Sequence, residues 1–197
     1  MALEVTTYDA GSDPYCYAGA SLLKNIPGIR GQAELEQFES AVVKQRSFEP
    51  LPRGNLSVRH YRSIHRHLFQ DVYRWAGRFR TVRTHKGAST FCYPEHIPDQ
   101  MKQLFGSMKR ADYFDGLGPD DFALQAAHFL ATLNAIHPFR EGNGRSQNAF
   151  LGLLAARAGH GLEFSRLNET AFRAAMIESF GGSEGPLAGQ IRSLIEP

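Results

Sequence analysis

Nine consecutive residues, 137 to 145, hold the side chains best suited to chemistry: His-Pro-Phe-Arg-Glu-Gly-Asn-Gly-Arg. His137 can take a proton from an attacking hydroxyl. Glu141 can ligate a hard cation such as magnesium, which keeps most of its waters and shares phosphate oxygens. Gly142, Asn143 and Gly144 tolerate the positive φ of a tight turn, and such a turn can aim successive N–H groups inward as an anion nest. Arg145 adds a forked cation suited to phosphate. Each residue alone reads more simply as a turn, a solvated carboxylate or a helix-end histidine. Their coincidence in one short loop points to polyphosphate chemistry, with Phe139 as the core anchor that pins the loop.

Two helices must position this loop. Phe122, Ala126, Phe129, Leu130, Leu133 and Ile136 recur at three and four, which predicts a helix capped by Asp120 or Asp121 and stopped by Pro138. Arg145 to Ala158 predicts a second helix, with Phe150, Leu151, Leu154 and Ala155 on one side and Gly159 as C-cap. His137 then ends one helix, and Gly142 to Gly144 open the next, whose N-terminus brings free donors and the positive end of its dipole.

The stretch from 137 to 148 resembles the signature of Fic-domain proteins, His-x-Phe-x-Asp/Glu-Gly-Asn-Gly-Arg-x-x-Arg. It matches at every fixed position except the last, where Asn148 replaces arginine. The similarity runs from about Tyr15, in the segment YCYAGASLLKN, to Phe180, and is to small bacterial toxin-like and effector-like members. The resemblance implies transfer of AMP from ATP to a Ser, Thr or Tyr hydroxyl of a target protein, with ATP and Mg²⁺ bound. It implies His137 as the base, Glu141 as the magnesium ligand, and Gly142, Asn143, Gly144 and Arg145 as the phosphate cradle. Asn148 would then lie beside the nucleotide, offering a neutral amide where the family has a charged fork, and transfer would be weakened. The resemblance also implies a flap over the loop, along which the target pairs as an added strand, and a small antitoxin-like inhibitor supplied in trans. Ser165 to Glu169 has the first spacing of a cis-inhibitory motif, but Thr170 breaks it, and the segment reads as ordinary capping. Two rival readings stand beside this one: an inactive adaptor that keeps the fold, and a relative that transfers phosphate or another nucleotide.

The remaining chain reads as scaffold. Its 197 residues predict one domain, 1 to 197, with a core from about 15 to 180. Helices are expected over 32 to 46 (Leu35, Phe38 and Val42 inward), 57 to 69 (capped by Ser57), 96 to 109 and 169 to 180, with a turn or two more in the last ten residues. Residues 79 to 93, rich in β-branched and aromatic types around a glycine, predict the only hairpin. The expected class is therefore all-α, a Fic-type helical core with one β-hairpin flap. His60, His65 and His67 lack the spacing of a catalytic zinc motif, and interior packing is the simpler reading for one of them. Arg74, Arg78, Arg80, Arg83 and Lys86 predict a solvated face or a patch that steers ATP and an acidic partner. With a net charge of only +2 and no reading motif, no direct nucleic-acid binding is expected. Two cysteines make no disulfide framework, and the absence of a signal pattern or long apolar run predicts a cytoplasmic protein away from the membrane, with secretion by another route still open.

Overall fold

The computed structural model describes residues 6–7, 13–86 and 89–196. Seven α-helices are found among them: α1 (Gln32–Ser47), α2 (Val58–Phe69), α3 (Ile97–Arg110), α4 (Pro119–Ile136), α5 (Asn143–Arg157), α6 (Glu169–Phe180) and α7 (Gly185–Leu194). The chain forms two compact units, Met1–Ile97 with Pro138–Ser146, and Pro98–His137 with Gln147–Pro197.

In the first unit α1 and α2 pack together. Ser57 caps α2 by accepting the His60 N–H at 3.3 Å, and Tyr61, Ile64, His65, Leu68 and Phe69 form its buried face. The buried stripe of α1 is Leu35, Glu39 and Val43. It is rotated by one residue from the expected Leu35, Phe38 and Val42, and so carries a carboxylate inside. The arm from residue 13 folds back through a Cys16–Leu23 bridge, and the Ile26 N–H reaches the Val72 carbonyl at 2.8 Å.

The expected β-hairpin flap over 79 to 93 needs correction. Among the described residues, pairing in this segment is confined to β2 (Thr84–Lys86) and β3 (Ser89–Thr90), and β2 also pairs with β1 (Thr6–Thr7), so the fold class is a helical core with very short strands rather than one with an isolated hairpin. The register Thr7↔Thr84 places another strand on the edge of β2 where a target was expected to add. Arg80 is one reason the strands stop short. Its Nη1 donates to the Val82 carbonyl at 2.6 Å, its Nη2 to the Cys92 carbonyl at 2.5 Å, and its backbone N–H to the Pro138 carbonyl at 2.9 Å. The first two bonds engage carbonyls, and the third commits an N–H, that a longer ladder would need. Arg80 is therefore buried at 2% exposure, not part of a solvated basic face; Arg74, Arg78 and Arg83 are exposed.

The second unit is built on α4, which packs against α6 and α7. All six apolar positions that predicted α4 are buried. Phe105, Phe129 and Phe150 cluster near its centre, with ring centroids 5.4 to 5.7 Å apart. Gly118, not an aspartate, precedes α4; Asp120 and Asp121 lie in its first turn, where the dipole favours them. Asn168 caps α6 by accepting the Ala171 N–H, and Ser165 and Arg166 lie in the 3₁₀ turn that precedes it, so the segment leads into and caps a helix. α7, ten residues long, exceeds the turn or two expected. Among the described residues no helix is long and apolar enough to cross a membrane.

Candidate active site

α4 ends at His137, whose backbone turns left-handed (φ 47°, ψ 62°) while its N–H still reaches Leu133 at 3.0 Å. The proline that follows disfavours the helical region here, and a non-glycine residue in this region is strained. His137 is the last residue of its segment in the second unit, and Pro138 begins the loop segment of the first.

That loop is closed by side chains from within itself. Asn143 Oδ1 accepts the Phe139 N–H at 2.9 Å, and its Nδ2 donates to the Phe139 carbonyl at 2.8 Å. The Asn143 side-chain amide is thus occupied in holding the turn. Phe139 is fully buried against Tyr61, His65 and Phe79. Gly142 has φ 81°, and a Cβ there would lie 2.3 Å from the Phe69 ring, so both conformation and space demand glycine. Gly144 differs: it is exposed, and a Cβ there would meet nothing within 4 Å. Helix α5 begins at Asn143, two residues earlier than expected. The N–H groups of its first turn have no intrahelical acceptor.

His65 supports the loop from α2. Its Nε2 donates to the Glu141 carbonyl at 2.9 Å, and its Nδ1 accepts the Gly77 N–H at 2.9 Å. Burial pushes its pKa down to about 3; the hydrogen bond to Glu141 opposes this, and the Arg145 charge adds to it. A neutral ring is what this pair of bonds requires. His60 and His67 likewise use ring nitrogens on backbone groups, of Leu56 and Pro52 and of Arg46. Because the folded value for His65 lies below the ordinary 6.5, the stability it contributes is complete above that pH and is lost as pH falls toward 3. Urea unfolding between about pH 6.5 and about pH 5 should show up to ~1.4 kcal/mol lost per pH unit from this group. His65→Asn should flatten that slope; an unchanged slope in the folded variant would remove His65 as its source.

Arg145 and Glu141 face each other, Nη2 to Oε1 at 3.3 Å, and the same Glu141 oxygen accepts the Gly142 N–H at 2.8 Å. Arg145 also lies over the Phe69 ring, 4.6 Å from its centroid. The Glu141 side chain is 36% exposed. Among the described residues no cluster of three or more metal-ligating side chains exists. One accessible carboxylate suits a magnesium ion that takes its other ligands from phosphate and water.

The profile of the Fic/DOC family matches residues 55–155. A probable protein adenylyltransferase of Sinorhizobium fredii, y4lH, is 47% identical over 189 residues, covering 95% of this chain and 98% of that one. The chain belongs to the Fic/DOC family. The protein adenylyltransferase VbhT of Bartonella schoenbuchensis is 36% identical over 94% of this chain, which spans 39% of that longer protein. The crystal structure of the effector BepC from Bartonella tribocorum with bound AMPPNP superposes with a TM-score of 0.84 at 28% identity, covering 93% of this chain and 96% of that one.

Within this Fic-domain chain two ion pairs escaped the sequence reading. Arg140 Nε meets Asp13 Oδ2 at 3.0 Å with both side chains almost fully buried, tying the N-terminal arm to the loop. Arg145 Nη2 meets Glu39 Oε1 at 2.5 Å. The visible trace of the second was a glutamate four residues from Leu35 and four from Val43, on one helical stripe. Asn148 lies half-buried on α5, one turn beyond Arg145.

Proposed function

We propose that the loop from 137 to 145 is the transfer site of a Fic-domain protein adenylyltransferase, which moves AMP from ATP to a Ser, Thr or Tyr hydroxyl of a target protein. The observation that carries this is the loop's construction: it is locked by Asn143 and Phe139, yet opens at Gly144 beside the free donors of α5. Such a rigid, open helix N-terminus favours an anion. The relatives' names and the AMPPNP bound in BepC support ATP as that anion's source.

In this mechanism His137 takes the proton as the target hydroxyl attacks the α phosphorus. A new O–P bond forms, the bond from the α phosphorus to the bridging oxygen breaks, and pyrophosphate leaves. The first-turn N–H groups of α5, with Arg145, stabilise the charge on the phosphates. Glu141 would hold magnesium through its exposed carboxylate. When bound, Mg²⁺ neutralises phosphate charge. Inhibition in trans, on this reading, cannot use a glutamate–arginine pair at position 148, where asparagine stands.

Gly144 separates this reading from a purely structural one. Gly144→Ala should leave the melting temperature nearly unchanged, because nothing in the protein opposes the Cβ. A nucleotide phosphate approaching the backbone would meet that methyl, and ATP affinity should fall about fivefold, roughly 1 kcal/mol. Calorimetric titration of ATP into both proteins checks this; equal affinity would place the phosphates elsewhere. The activity itself is tested by label transfer from α-labelled ATP to protein.

A further inference from the structure

We infer that Glu39, on the buried stripe of α1, is a positioning residue that presents the Arg145 guanidinium to the donor's phosphates, with Tyr73 fixing Glu39 in turn. This rests on the transfer site proposed above.

Both carboxylate oxygens of Glu39 are engaged. Oε1 accepts from Arg145 Nη2, and Oε2 accepts from the Tyr73 hydroxyl. The Glu39 residue is 9% exposed, and the Tyr73 ring that holds it stacks on Trp75. Burial first, then the Glu39 charge, pushes the Tyr73 hydroxyl well above its ordinary range, so it remains a donor. Arg145 is therefore held at one nitrogen by a carboxylate that cannot swing away. Its contacts with Glu39 and Glu141 both use Nη2, and among the described residues Nε and Nη1 show no hydrogen-bond partner. The Arg145 side chain is 37% exposed. One prong is anchored, and the rest of the fork is left for a ligand.

Stability alone gives little reason for this arrangement. Burying a carboxylate, even a paired one, is often no better for stability than apolar packing, and position 39 lies between Leu35 and Val43, where an aliphatic side chain would continue the stripe. The anchor also has an electrostatic consequence. Glu39 and Glu141 are two carboxylates against one guanidinium, so the group carries an excess negative charge that opposes a bare polyphosphate. Removing the Glu39 charge should therefore not weaken ATP binding, while it should lower turnover by freeing the Arg145 rotamer. A residue that only stabilised the fold would lower both with the melting temperature.

The test measures label transfer from α-³²P ATP to proteins of a bacterial lysate, with initial rates across ATP concentrations. It compares the full chain with Glu39→Gln, Arg145→Ala and the double variant, and records a thermal melt of each. The expected result is a rate at saturating ATP roughly tenfold lower for Glu39→Gln, the scale of one charge-assisted contact. The KM for ATP should not rise, and Glu39→Gln should cause no further loss on the Arg145→Ala background. Tyr73→Phe should give a smaller loss of the same kind. A Glu39→Gln rate equal to or above the unsubstituted chain overturns the inference, as does a loss on the Arg145→Ala background as large as on the native one. If the unsubstituted chain transfers no label, the proposed function fails, and this inference fails with it.

Discussion

His137→Ala should abolish measurable AMP transfer while leaving the protein folded and able to bind ATP. The imidazole would be the group that removes the proton from the target hydroxyl, and loss of a general base costs roughly 10²–10⁴-fold in rate. The backbone at 137 is left-handed, so a second variant guards the interpretation. His137→Gly relieves the strain of a side chain at positive φ and should melt at or near the temperature of the native chain. Both variants should lose transfer equally. A folded His137→Gly that transfers at the native rate would remove His137 from the base role and leave it as a helix C-cap.

The second large effect is a gain. Asn148→Arg should raise the rate of AMP transfer about tenfold or more, because a neutral amide gives way to a charged fork worth on the order of 1.5–3 kcal/mol against phosphate. Asn148 is half-buried on α5 and follows Arg145 by three residues, which puts both on roughly one helical face. Transfer rate and ATP affinity, measured on both chains, decide it. If the native chain already matches the variant, another cation supplies the charge and Asn148 is no handicap.

Much of this site was legible because it is local. The apolar period of α4, the stop at Pro138 and the glycines around Asn143 lie within one run of sequence, and every α4 core position that the period marked is buried. Glu39 and Arg145 are 106 residues apart, and Asp13 and Arg140 are 127 apart. No spacing rule links such partners, and a glutamate on an amphipathic helix reads as solvated until its neighbours are known. The strand region misled for a related reason. Its β-branched and aromatic residues predict extended chain, but Arg80 takes the Val82 and Cys92 carbonyls and β1 pairs with β2 from far upstream. Asn143 was legible as a turn residue, but not the pair of bonds by which its side chain closes that turn on Phe139.

The most direct test of AMP transfer uses two labels in parallel. The chain is incubated with a protein lysate and Mg²⁺, once with ATP carrying ³²P at the α phosphate and once at the γ phosphate. Label on protein from α-³²P ATP alone, absent in His137→Ala, is the predicted result. Label from γ-³²P ATP alone would show phosphate transfer, and no label from either would leave the chain a binding module; each contradicts the account.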